Sequence, residues 1–145
     1  MRYLIKIATT LAALWFGVSA AMAAPQYIAA PDTYSADIIA SLAQNGPGTA
    51  AKKIVETIGQ PAQLESLEKA MQVLAGKHID FSDKVVDNAY GKALREIVYY
   101  TYIEDVGFIY FRFNFKMTSH GWVLANFNFK EETNDMFPKD FVAPR

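Results

Sequence analysis

The sequence predicts an α+β fold, in which N-terminal helices pack on a three- or four-stranded antiparallel meander sheet. Apolar residues recur with helical spacing up to Gly76, and beyond it they alternate with a period of two. The predicted strands follow one another too closely for crossover helices, so they must form antiparallel hairpins. With 52% hydrophobic residues in a chain of 145, there is enough apolar material for one domain core.

The first residues have the pattern of a secretory signal peptide. Arg2 and Lys6 precede an apolar run over residues 7–18, and a stretch of small residues follows. An alanine-x-alanine motif ends at Ala23 and fits the small-x-small rule, so we expect cleavage there. Residues 1–23 are therefore predicted to be a signal peptide, and the alternative is an uncleaved membrane anchor.

Charge and cysteine content limit the cellular compartments and the classes of partner that fit this sequence. Removal of the signal takes away two basic residues and leaves 12 basic and 15 acidic residues, a net charge of −3. This balance argues against a nucleic-acid partner, because such proteins carry a basic excess. The absence of cysteine excludes disulfides and thiolate chemistry. We expect a periplasmic or secreted protein with no membrane span after cleavage.

Three helices are predicted ahead of the sheet. Residues 24–32 are proline-containing and aperiodic, so they are predicted to be a flexible leader before a single domain over 33–145. The first helix ends in the turn 45–48, and the second runs from a cap at Thr49 to Gly59. The third is opened by Pro61 and ended by Gly76, and its apolar stripe predicts a core-facing side. The stripe consists of Leu64, Leu67, Met71 and Leu74.

Strands occupy the second half of the chain. One short strand is predicted around residues 81–87, with a turn at 89–91. Three longer strands are predicted at 93–103, 108–118 and 122–131, which are dense in valine, isoleucine, tyrosine and phenylalanine.

Turn lengths predict the register of the last three strands. A three-residue loop ending at Gly121 would place Thr118 opposite Trp122, Phe115 opposite Ala125, Phe113 opposite Phe127 and Phe111 opposite Phe129. A four-residue loop at 104–107 would place Val98, Tyr100 and Tyr102 on the same apolar face, opposite Phe113, Phe111 and Ile109.

The other sheet face is predicted to carry a polar set. Asparagine is a poor strand former, so three asparagines beside an arginine invite a functional explanation. One interpretation is a recognition surface for carboxylates, phosphates or a partner's backbone, flanked by Tyr110, Trp122 and Leu124. The other is a solvent-exposed sheet face with arginine stacked on tyrosine. The candidate ligand-binding residues are Tyr99, Arg112 and Asn128 in one row, with Asn114 and Asn126 in the next row beside Ile97.

No catalytic site, metal site or cofactor is predicted. His78 and His120 are the only histidines, and neither has a second histidine at metal-ligand spacing. His78 with Asp80 is a weak acid/base pair. Acidic residues within 131–135 lack the pattern of a calcium loop and are interpreted as a solvated loop.

Four segments carry a resemblance to known proteins: residues 94–100, 110–113, 122–124 and 127–129, with the sequences LREIVYY, YFRF, WVL and FNF. They resemble a group of small exported bacterial proteins of unassigned function. The order of elements is similar to that of cystatin-like and nuclear-transport-factor-2-like folds. The resemblance implies the fold and transfers no functional residue.

The expected function is a non-enzymatic binding or accessory role in the bacterial cell envelope, with an envelope protein or a small ligand as partner. The alternative is a small cone-shaped α+β enzyme of isomerase, dehydratase or hydrolase type. It would use His78, Asp80 or Arg112 near a cavity between helices and sheet. A third possibility is a purely structural or stress-related role.

Overall fold

The computed structural model describes residues 23–131 and shows helices followed by a four-stranded antiparallel sheet, which confirms the α+β fold. The helices are α1 (Pro31–Asn45), α2 (Pro47–Ile58) and α3 (Leu64–Met71), and the strands are β1 (Ile79–Tyr90), β2 (Leu94–Ile103), β3 (Gly107–Thr118) and β4 (Gly121–Lys130). The predicted signal peptide up to residue 22 and the acidic residues at 132 and 135 lie outside the described residues.

The predicted leader is attached to the domain. Pro31 and Asp32 already belong to α1, and Ile28 is 8% exposed and forms a bridge with β4. The Ile28 amide donates to the Trp122 carbonyl at 2.7 Å. The prediction of a flexible leader over 24–32 is therefore wrong for its second half, because burial of one isoleucine and a backbone hydrogen bond tie it to the sheet.

The helices begin and end close to the predicted positions. Gly46 separates α1 from α2, and α2 starts at Pro47. Thr49 is not a cap but lies inside α2, where its hydroxyl donates to the Asn45 carbonyl at 3.4 Å. Gly59 ends α2 with a left-handed φ of 79°.

The apolar stripe of the third helix faces the core as predicted. Short 3-10 turns, Pro61–Gln63 and Gln72–Leu74, extend α3 at both ends. Met71 and Leu74 are buried, and Leu64 and Leu67 pack against the core with part of their surface exposed.

The sheet is a meander in the order β1-β2-β3-β4. β1 is longer than the predicted strand at 81–87, and the β1–β2 turn is at residues 91–93 instead of 89–91. Two bulges interrupt the pairing of β1 with β2, between Ile79 and Phe81 and between Lys84 and Val86.

The predicted β3–β4 register is correct for the pairs far from the turn and wrong for the pairs next to it. The turn has two residues, so Thr118 pairs with Gly121 and Phe115 pairs with Leu124 instead of Ala125. A bulge between Asn114 and Phe115 then adds one residue to β4. The bulge offsets the shorter turn, and so the predicted pairs Phe113 with Phe127 and Phe111 with Phe129 are confirmed.

The β2–β3 register is wrong by one residue. The loop has three residues, 104–106, and Ile103 pairs with Gly107. Tyr100 therefore lies opposite Tyr110, not opposite Phe111. Because side chains alternate along a strand, this shift exchanges the two faces of β2.

The core lies between the helices and the inner face of the sheet. Phe111, Phe113 and Phe115 are at most 1% exposed and form one cluster with apolar residues of all three helices. Phe127 lies 5.1 Å from Phe113 between ring centroids and packs against this cluster. The face of the sheet opposite the helices carries the remaining side chains of each strand.

Candidate functional site

The candidate site is the open face, which is the sheet face turned away from the helices. Its side chains alternate with the buried phenylalanines of β3 and with their partners on the neighbouring strands. The main members of the open face are Phe81, Asp83 and Val86 of β1; Glu96, Val98, Tyr100 and Tyr102 of β2; Phe108, Tyr110, Arg112 and Asn114 of β3; and Asn126 and Asn128 of β4.

Four of the five predicted site residues share this face. Arg112 pairs with Asn128, and Asn114 pairs with Asn126 on the next row. Tyr99 does not belong to the set. It pairs with Phe111 on the helix side, and its ring meets that of Phe113 edge-on at 6.4 Å.

The one-residue shift of β2 explains the exclusion of Tyr99. The neighbours of the polar rows on β2 are Val98, opposite Arg112, and Glu96, opposite Asn114, where Tyr99 and Ile97 were predicted. Ile97 is fully buried on the helix side.

The predicted apolar flank is only partly on the open face. Tyr110 belongs to it, as predicted. Leu124 is 2% exposed and lies in the core, and Trp122 packs against the core cluster. The two-residue β3–β4 turn is the reason, because it places both residues on the same face as Phe115.

Arg112 and Glu96 form an ion pair within the polar rows. Arg112 Nη1 lies 3.8 Å from Glu96 Oε1, and both side chains are mostly covered. Arg112 Nε and Asn128 Oδ1 are buried with no hydrogen-bond partner in the described part of the chain. The stem of Arg112 lies across from Val98, which has no exposed surface although it is on the open face. Arg112 therefore has a packing role whatever it binds.

Four aromatic rings form a contiguous patch at one end of the open face. We define the aromatic patch as Phe81, Tyr100, Tyr102 and Phe108. Tyr100 stacks on Phe108 with 5.4 Å between centroids, and its ring meets Phe81 at 6.0 Å. Tyr102 contacts Phe108 at 5.2 Å. Phe81 is 53% exposed, Phe108 is 52% exposed and Tyr102 is 39% exposed, so the patch presents large apolar surface to solvent.

The aromatic patch differs from the predicted arrangement because the β2–β3 turn is one residue shorter than predicted. A four-residue loop turns Tyr100 and Tyr102 toward the core, whereas the three-residue loop turns them outward. The signal for the shorter loop was Asp105 followed by Gly107. Asp105 adopts φ of 60° and Gly107 adopts φ of 101°, and aspartate and glycine tolerate positive φ better than most residues.

A shallow groove lies at the opposite end of the open face, beside the β1–β2 turn. It has a volume of about 300 Å³, and its lining includes Tyr90, Leu94, Glu96, Asn114 and Lys116. The Tyr90 hydroxyl donates to Glu96 Oε2 at 3.3 Å. Glu96 therefore connects the groove to the polar rows.

The residues proposed for an enzyme do not meet in a cavity between helices and sheet. Arg112 is on the open face, and His78 is paired with Asp80 at 3.6 Å on the surface, with 72% of the His78 side chain exposed. His120 lies at the β3–β4 turn against Tyr27. Among residues 23–131, no group of three or more histidine and carboxylate side chains is arranged to hold a metal ion.

A second cleft, of about 370 Å³, lies between residues 26–30 and the helices α1 and α2. Tyr34 lines it, and its hydroxyl is buried without a hydrogen bond in the described structure. Burial raises the pKa of Tyr34 to about 12, an effect that the nearby Thr57 hydroxyl partly offsets. Lys53 lies 5.8 Å from the centre of the Tyr34 ring and 4.0 Å from Asp37, so its charge is already partnered.

The comparisons with known proteins assign the chain to no family. Neither a protein-family model nor a curated protein sequence matches the chain. In the described range, no helix has the length and apolar character needed to cross a membrane.

Proposed function

We propose that this protein is an exported binding protein of the bacterial cell envelope and that the open face of its sheet binds a partner protein. The observation that carries the proposal is the exposure of three neighbouring aromatic side chains, Phe81, Tyr102 and Phe108. Contiguous exposed apolar surface of this kind commonly marks a protein interaction site.

The composition of the open face supports a protein partner. Tyrosine, phenylalanine and arginine are enriched in protein interfaces, and large rings supply contact area at a low cost in side-chain entropy. The polar rows next to the aromatic patch contribute Arg112, whose side chain is 25% exposed. Export is supported by the signal-peptide pattern at residues 1–23.

A site-specific crosslinker tests the proposal. We place a photoreactive phenylalanine analogue at Phe108 in the full chain and irradiate cells. The matched control carries the analogue at Val73, which is 52% exposed on the helical layer. We expect a discrete product from position 108 with one identified envelope protein and none from position 73.

Binding of the purified partner is then measured by calorimetry. Phe108→Ser should weaken the affinity by at least about tenfold, because exposed aromatic anchors carry much of the energy of an interface. Val73→Ser should leave the affinity unchanged. Equal affinities for Phe108→Ser and wild type would overturn the proposal, as would a crosslink from position 108 to a second copy of this chain alone.

A further inference from the structure

We infer that the partner presents a cationic segment, in which lysine or arginine side chains stand next to apolar residues, to the aromatic patch. This inference rests on the proposed function and specifies the chemistry of the partner. It comes from the charges around the patch. The surrounding carboxylates belong to Asp80, Asp83, Glu104 and Asp105, and the surrounding cations belong to Lys77 and Lys130.

The carboxylates follow the aromatic patch along its strands and turn. Asp83 lies directly opposite Tyr100. Glu104 and Asp105 form the β2–β3 turn between Tyr102 and Phe108. Counted over the described residues, four carboxylates and two lysines give this rim a formal charge of −2 when His78 is neutral.

Within residues 23–131, two of these carboxylates have no neutralising partner. Asp105 pairs with Lys77 at 3.2 Å, and Asp80 lies 3.6 Å from His78. Asp83 and Glu104 form no ion pair with any residue between 23 and 131. A cation that approaches the patch therefore meets two carboxylates that no described residue neutralises, Asp83 on β1 and Glu104 in the turn.

The rings add a second attraction for cations. The face of an aromatic ring is negatively polarised, and it attracts a lysine or arginine that lies within about 6 Å of the ring centre. Phe81 and Phe108 leave about half of their surface exposed next to Asp83 and the turn carboxylates. The methylene stems of lysine and arginine also cover apolar surface well. Rings and carboxylates thus favour the same kind of ligand.

The charge pattern disfavours a second copy of this chain. A two-fold interface through the aromatic patch would bring the same acidic rim of both copies together, and like charges at short range oppose association. Addition of a strand to the free edge of β1 is also disfavoured. The two bulges, at Ile79/Phe81 and Lys84/Val86, interrupt the regular backbone pattern on which such an addition depends.

The test uses two peptides of equal length, acetylated and amidated, each with two leucines and either three lysines or three glutamates. Binding to the full chain is followed by amide chemical shifts. The lysine peptide should shift amides at Phe81, Asp83, Tyr102 and Phe108, and the glutamate peptide should not. Raising the salt concentration from a low value to about 0.5 M should weaken the affinity for the lysine peptide several-fold.

Matched charge variants separate local recognition from net charge. Asp83→Asn with Glu104→Gln should weaken lysine-peptide binding about threefold or more, since both unpaired carboxylates are lost. Glu65→Gln with Glu68→Gln on α3 changes the net charge equally and should leave binding unchanged. The inference would be overturned if the two double variants lost the same affinity for the lysine peptide, or if both peptides caused equal amide chemical-shift changes.

The two proposals fail in different ways. If the identified partner depends on Phe108 but binds the Asp83→Asn, Glu104→Gln protein as tightly as wild type, the cationic segment is wrong and the proposed function stands. If Phe108→Ser has no effect on that partner, the proposed function is wrong. Sedimentation of the full chain as a dimer that Phe108→Ser dissociates would overturn both, because a second copy would then occupy the patch.

Discussion

Two phenylalanines five residues apart on β3 have opposite environments. Phe113 has no exposed surface and contacts Phe127, whereas Phe108 is 52% exposed in the aromatic patch. We expect Phe113→Ala to lower the free energy of unfolding by about 3–5 kcal/mol through cavity formation. Phe108→Ala should cost about 1 kcal/mol or less. Urea denaturation of both variants measures the difference, and similar costs would contradict the assignment of the two faces.

Arg112 combines an ion pair with a packing contact, and substitutions can separate the two. Arg112→Ala removes the pair with Glu96 and uncovers Val98, so we expect a loss of about 1–2 kcal/mol. Arg112→Met keeps an apolar stem over Val98 and should recover about half of that loss. Thermal and urea unfolding measure both variants. If Arg112→Met is as unstable as Arg112→Ala, the charge and not the stem accounts for the effect.

At the scale of elements, an ion-pair network joins β1 to β2 and to α1. Arg95 Nε donates to Asp87 Oδ1 at 2.8 Å, and Lys84 Nζ lies 2.9 Å from Asp87 Oδ2 and 2.6 Å from Asp32 Oδ1. Hydrogen bonds, chiefly from Arg95 and also from Lys84, lower the pKa of Asp87 to about 2. The network therefore stabilises the edge strand β1.

The lowered pKa predicts a pH dependence of stability. Because the folded pKa of Asp87 is below its ordinary value of 3.8, its contribution is present above about pH 4 and disappears as the pH falls toward 2. Asp87→Asn should cost about 1 kcal/mol at pH 7, and this cost should shrink at pH 2.5. Urea unfolding at several pH values measures it. Asp83→Asn, which removes a carboxylate without an ion pair in the described chain, should change stability little at either pH.

The contact between the N-terminal segment and α2 depends on Gly59. This residue has φ of 79°, and a Cβ atom there would collide with the backbone carbonyl of Ala23. Gly76 has φ of 70° with open space around it. Both substitutions to alanine incur the left-handed strain of about 1–2 kcal/mol, but Gly59→Ala must also displace the segment. Because the predicted cleavage removes Ala23, the comparison uses the uncleaved chain. There we expect the melting temperature of Gly59→Ala to fall clearly further than that of Gly76→Ala, and equal shifts would show that the segment does not press on Gly59.

At the scale of the whole molecule, export should remove the signal peptide. The pattern at residues 1–23 predicts a mature chain that begins at Ala24 or Pro25. Intact-mass analysis of protein from the periplasm or culture medium measures the start. A chain that keeps Met1 in the membrane fraction would contradict cleavage, and recovery from the cytoplasm alone would contradict export. The resemblance to small exported bacterial proteins also stays a prediction.

Local patterns in the sequence were enough for the element types, the helix ends at Gly46 and Gly59 and the antiparallel order of the strands. These features depend on side-chain periodicity and on glycines that tolerate positive φ, which act over a few residues. Alternation along β3 and β4 also placed Arg112, Asn114, Asn126 and Asn128 on one face, whereas their pairing was predicted correctly only because the bulge offsets the shorter turn.

Only the tertiary structure decided which sheet face a side chain occupies where the length of a turn or the presence of a bulge sets the strand register. The three-residue β2–β3 loop, and not the residues of β2, turned Tyr100 outward and Tyr99 inward. The bulge in β4 restored the predicted pairing beyond Phe115, because its extra residue offsets a β3–β4 turn that is one residue shorter than predicted. Strand periodicity is two, so a single inserted or omitted residue exchanges every side chain between core and solvent. Which tyrosines line the open face was therefore settled by packing of the whole sheet against the helices.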